Sequence, residues 1–296
     1  MTTTIAVAGS NGNLGTRICK ELVSRGVEVR ALVRKSDAKA EKFPKGAAEI
    51  VHVKDWTVEE LKKATAGASC VVSALQGMRD VMIAAQTSLL QGAVAAGVPR
   101  FIPSDYSCDF TKQAPGLNRN LDLRREFHGV LAKTKIKSTS ILNGAFMELL
   151  VSQMPLLDLT HKKVTYAGDP DQKLDFTTMD NTAAFTAAAA LDADAPEILR
   201  CAGDQISPRE IAHLAGELHH STFDLVRTGS VEDLLHAIER MRADQPGELE
   251  PFPRWQSMQY MHNMFSGAVK LDPVDNARYT GIHWTTVREL MAKRPA

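Results

Sequence analysis

Three glycines, Gly9, Gly12 and Gly15, lie in the segment Gly9-Ser10-Asn11-Gly12-Asn13-Leu14-Gly15. Their spacing suits phosphate chemistry. Gly9 permits a tight turn, Gly12 lets the backbone approach a pyrophosphate, and Gly15 allows a helix to pack closely on a strand. Further along, Arg34-Lys35-Ser36 supplies two cations and a hydroxyl. A carboxylate there would accept hydrogen bonds from a ribose 2′-OH, whereas a guanidinium fork and an ammonium suit a 2′-phosphate. These residues point to NADP(H) held by Gly9, Gly12, Gly15, Arg34 and Lys35. The plain alternative for Arg34 and Lys35 is a solvated basic loop.

The glycines can do this only where a strand feeds them and a helix leaves them. Thr4-Ile5-Ala6-Val7-Ala8 is an apolar strand pattern, and Leu14, Ile18 and Leu22 recur at helical spacing. A second strand over 27–33 then ends at Arg34. A helix opening on such a turn offers unpaired N–H groups and a positive dipole end to phosphates. The alternation continues with strands over 48–53, 69–75, 98–103 and 138–142 and helices over 57–64, 81–96 and 120–132. It predicts an α/β chain with a doubly wound parallel sheet, ligands lying beyond the carboxyl ends of its strands.

Beyond residue 150 the pattern loosens into short strands (163–167, 173–176, 198–201) among helices (182–191, 208–219, 231–241, 285–292). Residues 244–253 read as a loop or flap. The expected organisation is a dinucleotide-binding Rossmann domain over 1–150 and a smaller substrate-binding lobe over 151–296, with late segments free to return to the sheet. Lys+Arg and Asp+Glu both total 35 in 296 residues, so no global field favours nucleic acid or an anionic membrane. No apolar stretch reaches membrane-spanning length, and the first strand begins too early to leave room for a signal peptide. Cys19, Cys70, Cys108 and Cys201 are widely separated, which suits reduced thiols in the cytoplasm.

Several segments together resemble the NmrA-like and isoflavone-reductase-like branch of the atypical short-chain dehydrogenases. They are the glycine turn with Arg34, Val71 to Gly77, Ala96 to Tyr106, Asn143 to Phe146 and Asp175 to Ala183. The likeness runs to about residue 190 and more loosely beyond. It implies cofactor contacts from Gly9, Asn11, Gly12, Asn13, Leu14, Gly15, Arg34, Lys35, Leu75, Gln76, Ser104 and Asn143. It also implies NADPH-dependent hydride transfer to an apolar, phenylpropanoid-, ketone- or quinone-like substrate, and usually a lysine on the helix before the sixth strand. Arg124 stands at that position here. Lysine can be tuned to release a proton near neutral pH, whereas arginine stays protonated. The Tyr-x-x-x-Lys pair of typical short-chain dehydrogenases is absent, since Tyr106 is followed by Phe110.

Tyr106 and Arg124 are therefore the catalytic candidates. A phenol lowered by the Arg124 cation can protonate a developing alkoxide; alternatively, Tyr106 simply packs. Asn143 either bonds near the nicotinamide or ends its strand. Trp255, Met258, Met261 and Phe265 form a broad helix face that either lines a pocket or fills the core. His213, Glu217 and His220 share a helix face but lack a metal-site pattern, so no metal is assigned. Loss of the lysine also suits a rival reading, a non-catalytic NADP(H) sensor acting on a protein partner. A homodimer is compatible with either.

Overall fold

The computed structural model describes residues 3–34, 49–247 and 249–293. Its first half is built on a sheet whose central strands are buried on both faces, which is why they read as nearly continuous apolar runs. In chain order these elements are β1 (Thr4–Ala8), α1 (Asn13–Ser24), β2 (Glu28–Arg34), β3 (Glu49–Val53), α2 (Val58–Thr65), β4 (Cys70–Ser73), α3 (Gln86–Ala95), β5 (Arg100–Ile102), α4 (Arg119–Leu131), β6 (Lys137–Ser138) and β7 (Ser140–Leu142). The sheet runs β3-β2-β1-β4-β5-β6, every pair parallel. The strand order reverses between β1 and β4, the switch point where such sheets take ligands. The expected sixth strand is interrupted at Thr139, and β7 carries it on.

The remaining elements are β8 (Ala145–Phe146), β9 (Leu157–Asp158), β10 (Lys163–Tyr166), β11 (Leu174–Thr177), α5 (Met179–Leu191), β12 (Ile198–Arg200), β13 (Asp204–Ile206), α6 (Pro208–His219), β14 (Asp224–Arg227), α7 (Val231–Asp244), α8 (Arg254–Ser266) and α9 (Val287–Ala292). Two of them return to the first half. β12 pairs in parallel with β7, and α5 packs along α1. The others build small sheets, β14-β10-β9 and β13-β11-β8.

Strand alternation divides the core. Ile5 and Val7 face α1 and α5 with Ile18, Leu22, Ile102 and Phe185, while Ala6 and Ala8 face the other way with Leu61, Leu89, Phe101 and Phe127. A third core under the later elements holds Phe176, Ile211, Trp255, Met261 and Phe265, with Met258 packed against it. Core packing is thus the role of the Trp255 to Phe265 face. Thr57 and Ser207 close capping boxes with Glu60 and Glu210, as the Thr-x-x-Glu spacing predicts for α2.

The helix expected over 81–96 differs in its first turns. Residues Asp80–Ala85 form a wider π-helical turn that leads into α3. The buried Gln86 amide donates to the Met82 carbonyl there, while its own oxygen accepts from the Ser104 N–H.

Candidate active site

The glycine turn is closed by the Gly12 N–H donating to the Gly9 carbonyl at 3.0 Å. Gly9 has φ +73°, and a Cβ there would lie 2.5 Å from the Ala74 carbonyl oxygen. At Gly15 a Cβ would lie 2.1 Å from the Gly9 carbonyl oxygen, so the helix can approach this closely only without a side chain. Gly12 caps α1 without any side-chain hydrogen bond, which leaves the helix N-terminus open to an anion. Ser10 ties the turn to β2 by donating to the Leu32 carbonyl, and Thr16 donates to the Ser10 carbonyl.

Asn11 and Asn13 lie on this turn, Asn13 accepting from Arg17 Nε, while Leu14 packs on the core. Arg34 is exposed at the end of β2, beside Val53 of β3. Lys35 lies outside the described residues.

Across the switch point, the Ser104 hydroxyl donates to the Leu75 carbonyl at 2.7 Å and so fixes the turn after β4. Gln76 is exposed on that turn. Asn143, just past β7, has no exposed surface. Its backbone N–H donates to the Ser107 carbonyl and its own carbonyl accepts from the Thr177 hydroxyl. Gly144 beside it has φ +67°, and a Cβ there would meet the Asp175 carbonyl oxygen at 2.4 Å. Held this tightly, the Asn143 side chain still has neither Oδ1 nor Nδ2 hydrogen-bonded. A buried polar atom left so costs about 1–3 kcal/mol unless a ligand takes it. An open helix end and an open amide fit a dinucleotide along this edge.

The two catalytic candidates part company. Tyr106 is 7% exposed and packs between the sheet and α5 with Ile102, Ile141 and Ala183. Burial pushes its phenol up, the reverse of the lowering expected from Arg124. The packing alternative describes its surroundings, because the chain turns after Pro103 and sends residue 106 to the sheet face away from α4. Arg124 sits on α4, its Nε donating to the Asp105 carbonyl at 2.9 Å and its Nη1 to the Asn120 carbonyl at 2.8 Å.

Facing the start of α4 is a polar stripe of α8 that the sequence reading passed over. Gln256 donates to the Asn118 side chain at 2.8 Å, Gln259 accepts from the Arg119 N–H at 3.1 Å, and Asn263 accepts from the Asn118 amide at 2.8 Å. Tyr260 lies on the same stripe, its phenol set against the Asn120 amide and the Arg124 guanidinium. Gln256, Gln259, Tyr260 and Asn263 have helical spacing, a signal masked by the apolar face of the same segment. A second missed group is His128, whose Nε2 lies 2.7 Å from Asp105 Oδ2, an oxygen that also accepts from Ser140. His128 lines a surface hollow of about 500 Å³ with Ile136, Lys137 and Glu197, beside the start of β6.

His213 meets Glu217, which also pairs with Arg288. Among the described residues no group of three or more His, Cys, Asp or Glu side chains is placed to hold a metal. No helix among them is long and apolar enough to cross a membrane.

The family model described as "NmrA-like family" matches residues 1–289. The chain is 28% identical over 206 residues to Pinoresinol reductase 1 of Arabidopsis thaliana, covering 64% of this chain and 65% of that protein. The chain thus spans less than two thirds of that relative's length. It is 24% identical over 238 residues to an NmrA-like family domain-containing oxidoreductase of Gibberella moniliformis, covering 73% and 77%. Among solved structures, one described as AtPrR2 with NADP+ and (+)pinoresinol superposes with TM-score 0.83 at 22% identity, covering 99% of both chains. An isoflavone reductase superposes with TM-score 0.82 at 19% identity, also covering 99% of both. These likenesses show the Rossmann-type fold.

Proposed function

This chain belongs to the NmrA-like family, and from that premise we propose that it is an NADPH-dependent reductase of a small, largely apolar aromatic substrate. The observation that carries this reading is the glycine turn, where no side chain caps α1 and the backbone packs too closely for a Cβ at Gly9 or Gly15. Gly12, Asn13 and the α1 N-terminus would hold the pyrophosphate, Arg34 and Lys35 the 2′-phosphate, and the open Asn143 amide the nicotinamide end. Leu75, Gln76 and Ser104 would border the ribose between them. The dinucleotide, when bound, supplies a hydride at its nicotinamide. Dinucleotide binding is assigned to residues 1–150 with α5 and β12 attached, and substrate binding to the lobe over 151–296. The pinoresinol reductases among the relatives support the aromatic substrate class, and buried free thiols suit a reducing, cytoplasmic setting.

Calorimetry with NADPH and NADH tests the cofactor, and NADPH oxidation with a panel of aromatic ketones, quinones and lignans tests the reaction. NADPH should bind more tightly than NADH, and Arg34→Ala should weaken NADPH binding about 10- to 100-fold through the lost charge-assisted phosphate contact. Equal affinities, or no turnover above background, overturn the reading. Arg124 at the position of the family's lysine favours a second reading, a non-catalytic NADP(H) sensor. That protein would distinguish NADP+ from NADPH in affinity or assembly state and turn over nothing.

A further inference from the structure

A carbonyl reduction needs a proton as well as a hydride. An arginine side chain is no proton donor, because a guanidinium holds its proton in water, and Tyr106 is walled into the core. Another phenol, that of Tyr260, packs against the cluster that holds Leu142 at the end of β7. We propose that Tyr260 is the proton donor, its hydroxyl directed at the substrate oxygen with Arg124 and Asn120 beside it; this deepens, and rests on, the reductase reading above.

The geometry that carries this is the clamp between α8 and the start of α4. Gln256 and Asn263 both reach the Asn118 side chain, and Gln259 takes the Arg119 N–H. These partners bracket Tyr260 at i−4, i+3 and i−1, so its place on α8 relative to α4 is fixed by three hydrogen bonds it does not itself make. Its ring packs against a cluster containing Cys108, Leu142 and Leu271. Leu142 ends β7 and precedes Asn143, so the ring packs beside the end of that strand. Opposed influences act on that phenol. Burial pushes it up, so it carries its proton at neutral pH, while the Arg124 guanidinium pulls it down and would hold the phenolate once the proton is gone. A donor needs both properties.

The step balances. For an aromatic ketone, hydride adds to the carbonyl carbon, the π pair moves to oxygen, and that oxygen takes the Tyr260 proton. The tyrosinate, paired with Arg124, recovers a proton from water. One NADPH and one proton from solvent are consumed for each alcohol formed.

The test uses the full chain carrying [13Cζ]tyrosine, which gives four signals for its four tyrosines. Tyr260→Phe identifies one by its loss. Arg124→Gln should then shift that signal and leave the others in place, with no substrate present. In turnover, Tyr260→Phe should lower kcat about 100-fold or more, with NADPH affinity and KM near the wild-type values. A Tyr260 signal indifferent to Arg124→Gln, or a Tyr260→Phe enzyme turning over at the wild-type rate, overturns the inference alone. Wild-type protein that neither binds nor oxidises NADPH overturns the reductase reading and the inference with it.

Discussion

At the residue scale, the informative side chains are those whose surroundings disagree with their chemistry. Asn143 is a fully buried amide with both polar atoms open, in a backbone that cannot relax around it. His128 shows the opposite arrangement, a partly buried imidazole that has found a carboxylate. Burial opposes its protonation, but the Asp105 hydrogen bond and charge, with Glu197 further off, win, and its pKa rises above the ordinary 6.5. A group raised on folding stabilises the protein fully below its unfolded value and loses that contribution as pH climbs through the folded one. The melting temperature of wild type should therefore exceed that of His128→Gln by most below pH 6.5, with the gap shrinking towards alkaline pH. A gap that holds constant or widens with pH would rule out the raised imidazole.

The decisive element contact is between helices α4 and α8. Asn118 caps α4 by accepting from the Asn120 and Leu121 N–H groups, and the same side chain binds Gln256 and Asn263. Gln256 and Asn263 are themselves buried. Asn118→Ala should cost about 2–4 kcal/mol, since it removes a cap and leaves two buried amides short of a partner. Urea unfolding measures this. A loss under 1 kcal/mol, on the order of a cap alone, would show that α8 is held by its apolar face without the clamp. The loop before α8 joins the same assembly. Arg119 and Asn120 both donate to the Pro251 carbonyl, and Trp255 donates to that of Pro246. The expected flap over 244–253 is thereby tied to the helix that carries Arg124.

For the whole molecule, the layers leave no thiol at the surface. Cys19, Cys70, Cys108 and Cys201 are all buried and unpaired, and burial pushes the first three up to about 12. A thiolate-selective reagent should label none of the four in the native protein and all four once it unfolds. Fast labelling of any one in native buffer would show a layer that opens locally. The same layering makes the two halves interdependent, because α5 and β12 belong by sequence to the later half and by packing to the first. Folding of residues 1–150 alone would leave β7 with a bare edge and α1 with an uncovered face.

Much of this was legible in the chain itself. Strand and helix periods, the cap at Thr57, the glycine turn and the cation ending β2 are local matters, decided within a few residues by propensity and steric fit. Tyr106, Asn143 and Tyr260 are different. Which side of the sheet Tyr106 takes depends on an irregular turn with no period to read. Whether Asn143 finds a partner depends on every group around it. The meeting of Asn118 with Asn263 spans 145 residues and needs the layers between them in place. Short-range pattern reports what a segment prefers to be; which distant segment it meets is set by the packing of all of them at once.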